Sequence, residues 1–105
     1  MAGEPKASIS QTFTSPVSGN SGGFDLTQFS KVTIVAGPET FTGAPTNPFY
    51  FEVQQQDGTW VRPFAAFTIS NAITDYNTPF NAGRIAWDIT GTGTVTVTIS
   101  VWAHN

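Results

Sequence analysis

Residues 84–105 read RIAWDITGTGTVTVTISVWAHN, and hydrophobic and polar side chains alternate through almost all of them. A period of two is the spacing of a strand that buries one face. With Gly91-Thr92-Gly93 as a loop, Thr90 faces Thr94, and the next apolar pairs are Ile89 with Val95, Trp87 with Val97 and Ile85 with Ile99. Arg84, Ala86 and Asp88 then collect on the opposite face with Thr96, Thr98 and Ser100, and a slip of one residue would mix the two sets. The pattern predicts a closing β-hairpin with one buried and one wet face. Continued alternation leaves Trp102 on the wet face, whereas a change of register near the end would bury it.

Further strands are predicted upstream. KVTIVA (31–36) is short and β-branched, and Gly37-Pro38 stops it. In residues 49–55, Phe49, Phe51 and Val53 point one way while Tyr50, Glu52 and Gln54 point the other. Asp57-Gly58 turns the chain into Thr59-Trp60-Val61. A three-residue loop with Gly58 in the left-handed conformation sets Val53 opposite Val61, and is preferred to a two-residue loop that would set it opposite Arg62. AFTIS (66–70) reads as another strand, and the polar stretch NAITDYNTPFNAG that follows reads as a connection. Helical periodicity with caps is missing, so the expected fold is all-β, an antiparallel β-sandwich, with a jelly-roll as one connectivity open to it.

Residues 1–23 differ in composition, being rich in Ser, Gly and Pro, with Ile9, Phe13 and Val17 as the residues able to pack. A stretch such as SPVSGNSGG buries too little to offset its ordering entropy. The expected organisation is an extended N-terminal arm over 1–23, with a first strand near 8–14 and a flexible link, and a sandwich domain over 24–105. An ordinary loose terminus and an arm that pairs with a neighbouring subunit are both open readings.

Charge narrows the function. The net charge is −3, and four Lys and Arg in 105 residues cannot build a phosphate-neutralising stripe, which argues against nucleic acid as a partner. Neither a signal-like charged and apolar start nor a membrane-length apolar run is visible, so no membrane partner is expected. Without cysteine, thiolate chemistry is excluded, and His104, next to the last residue, is expected to be a solvated tail side chain. Glu52 and Asp88 sit at outward strand positions where a carboxylate pair is imaginable, but they read as surface charges. Asp57 belongs to its turn, Gly91-Thr92-Gly93 lacks the helix and lysine of a phosphate loop, and Asp75 with Asn77 is a weak calcium set. The expectation is no enzyme, no catalytic residue, no cofactor and no metal.

Aromatic residues carry the remaining signal. WVRPFAAFTISN, followed by PFNAGRIAWDITGTGTVTVTISVW, resembles the small all-β structural proteins of tailed-bacteriophage virions, especially capsid decoration (cement) proteins. In such chains an Asp-Gly-Thr-Trp hairpin and a similar Thr-Gly-Thr-Gly ending recur on a sandwich or jelly-roll core, and the likeness spans about residues 49–102. It implies a virion-localised, oligomeric protein that binds the assembled shell through the major capsid protein or other virion subunits, with Phe13, Trp60, Tyr76 and Trp102 as interface candidates. The alternative reading is a carbohydrate-binding module that stacks sugar rings on exposed aromatics, for instance Trp102 and Tyr50 with Gln54 nearby.

Overall fold

The computed structural model describes residues 3–46, 48–78 and 80–105. Every regular element among them is a strand, and each pairing is antiparallel. The first sheet runs in the order β1 (Glu4–Thr14), β10 (Gly91–His104), β4 (Lys31–Ala36), β8 (Ala72–Asn77), and β5 (Thr40–Pro45) pairs with the start of β10. The second runs β2 (Val17–Asn20), β9 (Ala82–Ile89), β6 (Phe49–Gln54), β7 (Trp60–Val61), with β3 (Phe24–Asp25) also on β9. Their apolar faces meet in one core, so the chain is the antiparallel β-sandwich its alternation predicts.

The core forms as the period of two requires. Val95, Val97, Ile99, Val101 and Ala103 of β10 are buried, while the Thr and Ser between them line the outside. From the other sheet Phe49, Phe51, Val53, Ile85 and Ile89 meet them. The β6–β7 turn also follows the prediction: Val53 is paired with Val61, and Gly58 has a φ of 92°. Asp57 accepts the Thr59 hydroxyl at 2.6 Å and the Thr59 N–H at 2.9 Å, which together hold its carboxyl below the usual carboxylate range.

The closing hairpin does not form. β9 and β10 lie in different sheets, and Gly91, Thr92 and Gly93 pair with Pro45, Ala44 and Gly43 of β5. Ile85 and Ile89 therefore face β10 across the core instead of lying beside it. Alternation specifies which side of a strand is buried, and that side is the same for a hairpin and for a chain that crosses between sheets. Hydrogen-bond partners for β10 come from β1, β4 and β5, all distant in sequence.

Two other expectations change. Residues 66–70 are not a strand, although Phe67 and Ile69 are buried as plugs between the sheets, and the Phe67 N–H bonds the Phe49 carbonyl at 2.9 Å. The adjacent stretch read as a connection contains β8, paired with β4 along its length. An edge strand with one wet face tolerates the Thr, Asp and Asn that suggested a loop.

The N-terminal arm is also corrected. Met1 and Ala2 lie outside the described residues, but β1 pairs with β10 from Glu4 to Thr14 and buries Ile9 and Phe13. The chain then crosses into the second sheet, where Val17 pairs with Ile89. Residues 4–20 thus belong to both layers of the sandwich, and the division into an arm over 1–23 and a domain over 24–105 does not hold. Backbone pairing with β10 is indifferent to side-chain composition, so a Ser-rich stretch with an apolar residue at few positions suffices.

Candidate functional site

The four aromatic candidates do not converge. Phe13 is 2% exposed, its ring edge-on to Phe49 and Trp87 at centroid distances of 5.3 and 4.9 Å, so it is a core residue with no surface to offer a partner. Tyr76 is half-buried between Phe51 and Phe64, 5.0 and 4.6 Å away. Trp60, on the outer face of the second sheet, is half-buried beneath Arg84. Trp102 is exposed on the outer face of the first sheet. The trio proposed for sugar stacking is likewise split, because Tyr50 and Gln54 belong to β6 and Trp102 to β10.

Burial pushes the Tyr76 hydroxyl above its ordinary value of 10.0. An acid whose folded-state value is raised contributes full stability below its unfolded value; that contribution is lost as pH rises through the folded one. Stability is therefore expected to fall as pH rises above about 10, and Tyr76→Phe to remove part of that fall. Urea midpoints at neutral pH and above the ordinary tyrosine value measure it, and an unchanged alkaline loss in the variant would contradict the assignment.

The outer face of the first sheet has a definite pattern. Register places Ser100, Val35 and Ile73 in one row, Trp102, Thr33 and Asp75 in the next, and His104, Lys31 and Asn77 in the third. Val35, Ile73 and Trp102 are 40%, 69% and 39% exposed, and occupy adjacent rows of this face next to the sheet edge. Towards β1 and β5 the face is a ladder of paired hydroxyls, Ser10 with Thr98, Thr12 with Thr96 and Thr42 with Thr94, at 3.0, 2.8 and 2.6 Å. Such a face is polar yet carries few charges to desolvate.

His104 is braced, contrary to the expectation of a solvated tail. Its Nε2 lies 2.8 Å from the Thr33 hydroxyl, which donates to Asp75 Oδ1 at 2.6 Å. The hydroxyl has one proton, given to the carboxylate, so His104 donates from Nε2. A nucleophilic triad needs the imidazole between carboxylate and hydroxyl, whereas here the hydroxyl stands in the middle. The chain of groups ties β10, β4 and β8 together.

β8 leaves an open edge. Thr78 N–H donates to the Ser30 carbonyl at 2.7 Å, and the antiparallel ladder continues that parity through Tyr76, Thr74 and Ala72. Backbone groups of Ile73, Asp75 and Asn77 consequently point away from β4. The opposite edge, β1, carries Pro5, Lys6 and a register shift, devices that discourage strand addition, and β8 has none of them. Residues 63–68 run alongside and leave a groove lined by Phe64, Phe67, Thr74 and Tyr76.

On the second sheet the charged residues concentrate. Glu52 is buried at 7% exposure and bridges two guanidinium groups, with Arg84 Nε at 2.7 Å from Oε1 and Arg62 Nε at 3.0 Å from Oε2. Arg62 lies over the Tyr50 ring at 3.9 Å and Arg84 over Trp60 at 4.4 Å. The expectation of a surface charge at Glu52 is corrected by its pairing: a carboxylate can be buried where two guanidiniums donate to it. Asp88 stays exposed, its Oδ1 accepting from Ser18 at 2.7 Å. The alternation marked Glu52 and Arg84 as outward; their meeting depended on the β6–β9 pairing, which no local signal gives.

No family model matches the chain, and no curated protein matches it. Among solved structures, the crystal structure of SPBc2 prophage-derived protein YomS aligns with 90% of this chain and 95% of that one, at 15% sequence identity and a TM-score of 0.48.

Proposed function

We propose that the chain is a non-enzymatic structural protein of a tailed-phage virion, of the decoration or cement kind, which binds an assembled shell as an oligomer and stabilises it. The observation that carries the reading is the Val35, Ile73 and Trp102 patch beside an unpaired β8 edge. Apolar side chains give a partner area to bury, and free backbone groups let an extended segment of a neighbouring subunit join the sheet. The low-charge hydroxyl face next to it enlarges the contact without stranding ions. Binding only the assembled shell stabilises it by mass action, and several copies multiply weak contacts.

Co-sedimentation with assembled capsids tests this. Wild-type protein is expected to pellet with shells, and Ile73→Asp with Trp102→Ser to stay in the supernatant while keeping the wild-type β-sheet circular dichroism. A double variant that is folded and still pellets fully would overturn the reading. Deleting residues 1–23 is not a useful test, because it removes β1 and β2 from the sandwich.

A further inference from the structure

We propose that a depression on the outer face of the second sheet binds a neutral sugar ring. It is a separate site from the β8 edge and does not rest on the structural reading. Ala86 and the backbone of Gly19 are among the residues that line it, and it holds about 370 Å³ between β2, β9 and the Glu52 cluster. The small side chain of Ala86 at the centre of a face otherwise carrying Tyr50, Glu52, Arg84 and Asp88 creates the hollow.

Charge and hydrogen-bonding capacity select the ligand. Arg62 and Arg84 carry two positive charges, Glu52 and Asp88 two negative ones, so the lining is neutral overall and offers an anion no net attraction. Arg84 engages Glu52 through Nε, which leaves both its Nη groups as donors. Asp88 Oδ2 has no protein partner among the described residues and is an acceptor, and Asn20, whose Oδ1 holds the Gly22 N–H, has its amide NH₂ to donate. Adjacent sugar hydroxyls each donate and accept, which suits a rim of planar donors and acceptors. The Trp87 ring is turned into the core against Phe13 and Phe49 and the Ala86 methyl is 3% exposed, so the sugar would be held through its hydroxyls.

Titration of ¹⁵N-labelled protein with methyl α-glucoside, methyl α-galactoside, methyl N-acetyl-β-glucosaminide and glucuronic acid, followed by NMR, tests the assignment. At least one neutral glycoside is expected to shift the signals of Ala86, Arg84 Nε–H and the Asn20 side chain saturably, with a dissociation constant on the order of 1 mM. Ala86→Gln, which fills the hollow, and Asp88→Ala, which removes an acceptor while leaving Ala86 and Gly19 intact, are each expected to weaken that binding about tenfold, with the remaining spectrum unchanged. Absence of saturable shifts with all three neutral glycosides overturns the proposal. So does tighter binding of glucuronic acid than of any neutral glycoside, or full binding by a folded Asp88→Ala variant. Capsid co-sedimentation by Asp88→Ala is expected to equal wild type, so that failure here is distinguishable from failure of the virion reading.

Discussion

Gly93→Ala is expected to lower stability by about 3 kcal/mol, the largest single loss we anticipate. Gly93 has a φ of 108°, in the region that favours glycine, and an added Cβ would collide with the Thr42 carbonyl of β5. The obstacle is backbone and has no rotamer to adopt, so β5 must separate from β10. Gly22→Ala is the control: its φ is 82°, yet nothing lies within 4 Å of the added carbon, so only conformational strain of about 1 kcal/mol applies. In a domain of this size the Gly93 variant should melt roughly 15 °C below wild type, and the Gly22 variant only a few degrees below. Equal melting of the two would show that the approach of β5 to β10 is looser than described.

Glu52→Ala is expected to cost about 2 kcal/mol. Removing the shared carboxylate leaves two guanidiniums facing each other across β6, β7 and β9. A fully buried group of this kind would lose more, but the Arg62 side chain is 37% exposed and Arg84 23%, and solvent screens both. Arg62→Ala should cost about 1 kcal/mol, much of it from the packing over Tyr50. The double variant should lose less than the sum of the single ones, because deleting Arg62 relieves the repulsion that Glu52→Ala creates. Urea unfolding of the four proteins gives the coupling. Additive losses would mean that Glu52 serves Arg84 alone.

Much of the architecture is legible in the chain. Period-two burial in β4 and β10, and the inward set Phe49, Phe51, Val53, Ile85 and Ile89 of β6 and β9, follow from which residues are apolar, since a strand in a two-layer fold has one inside. The Val53–Val61 register follows from Asp57-Gly58, because turn chemistry acts within a few residues. Trp102 is outward for the same reason as Thr96 and Thr98. Edge strands were harder to read: the strand expected near 8–14 is present but begins at Glu4, and β8, which buries little, has the composition of a loop.

What the amino-acid order determined by itself is the inside and outside of β4, β6, β9 and β10, and the turn at Gly58. The tertiary structure alone decided that β9 and β10 part into opposite sheets, that β1 and β2 stitch the layers together, and that Glu52 meets Arg62 and Arg84. The physical reason is range. Side-chain alternation and turn geometry are properties of neighbouring residues, whereas strand pairing is selected by burial over the whole core, and several pairings preserve the same alternation. Both outer surfaces, the apolar patch at the β8 edge and the hollow over Ala86, arise from those long-range pairings.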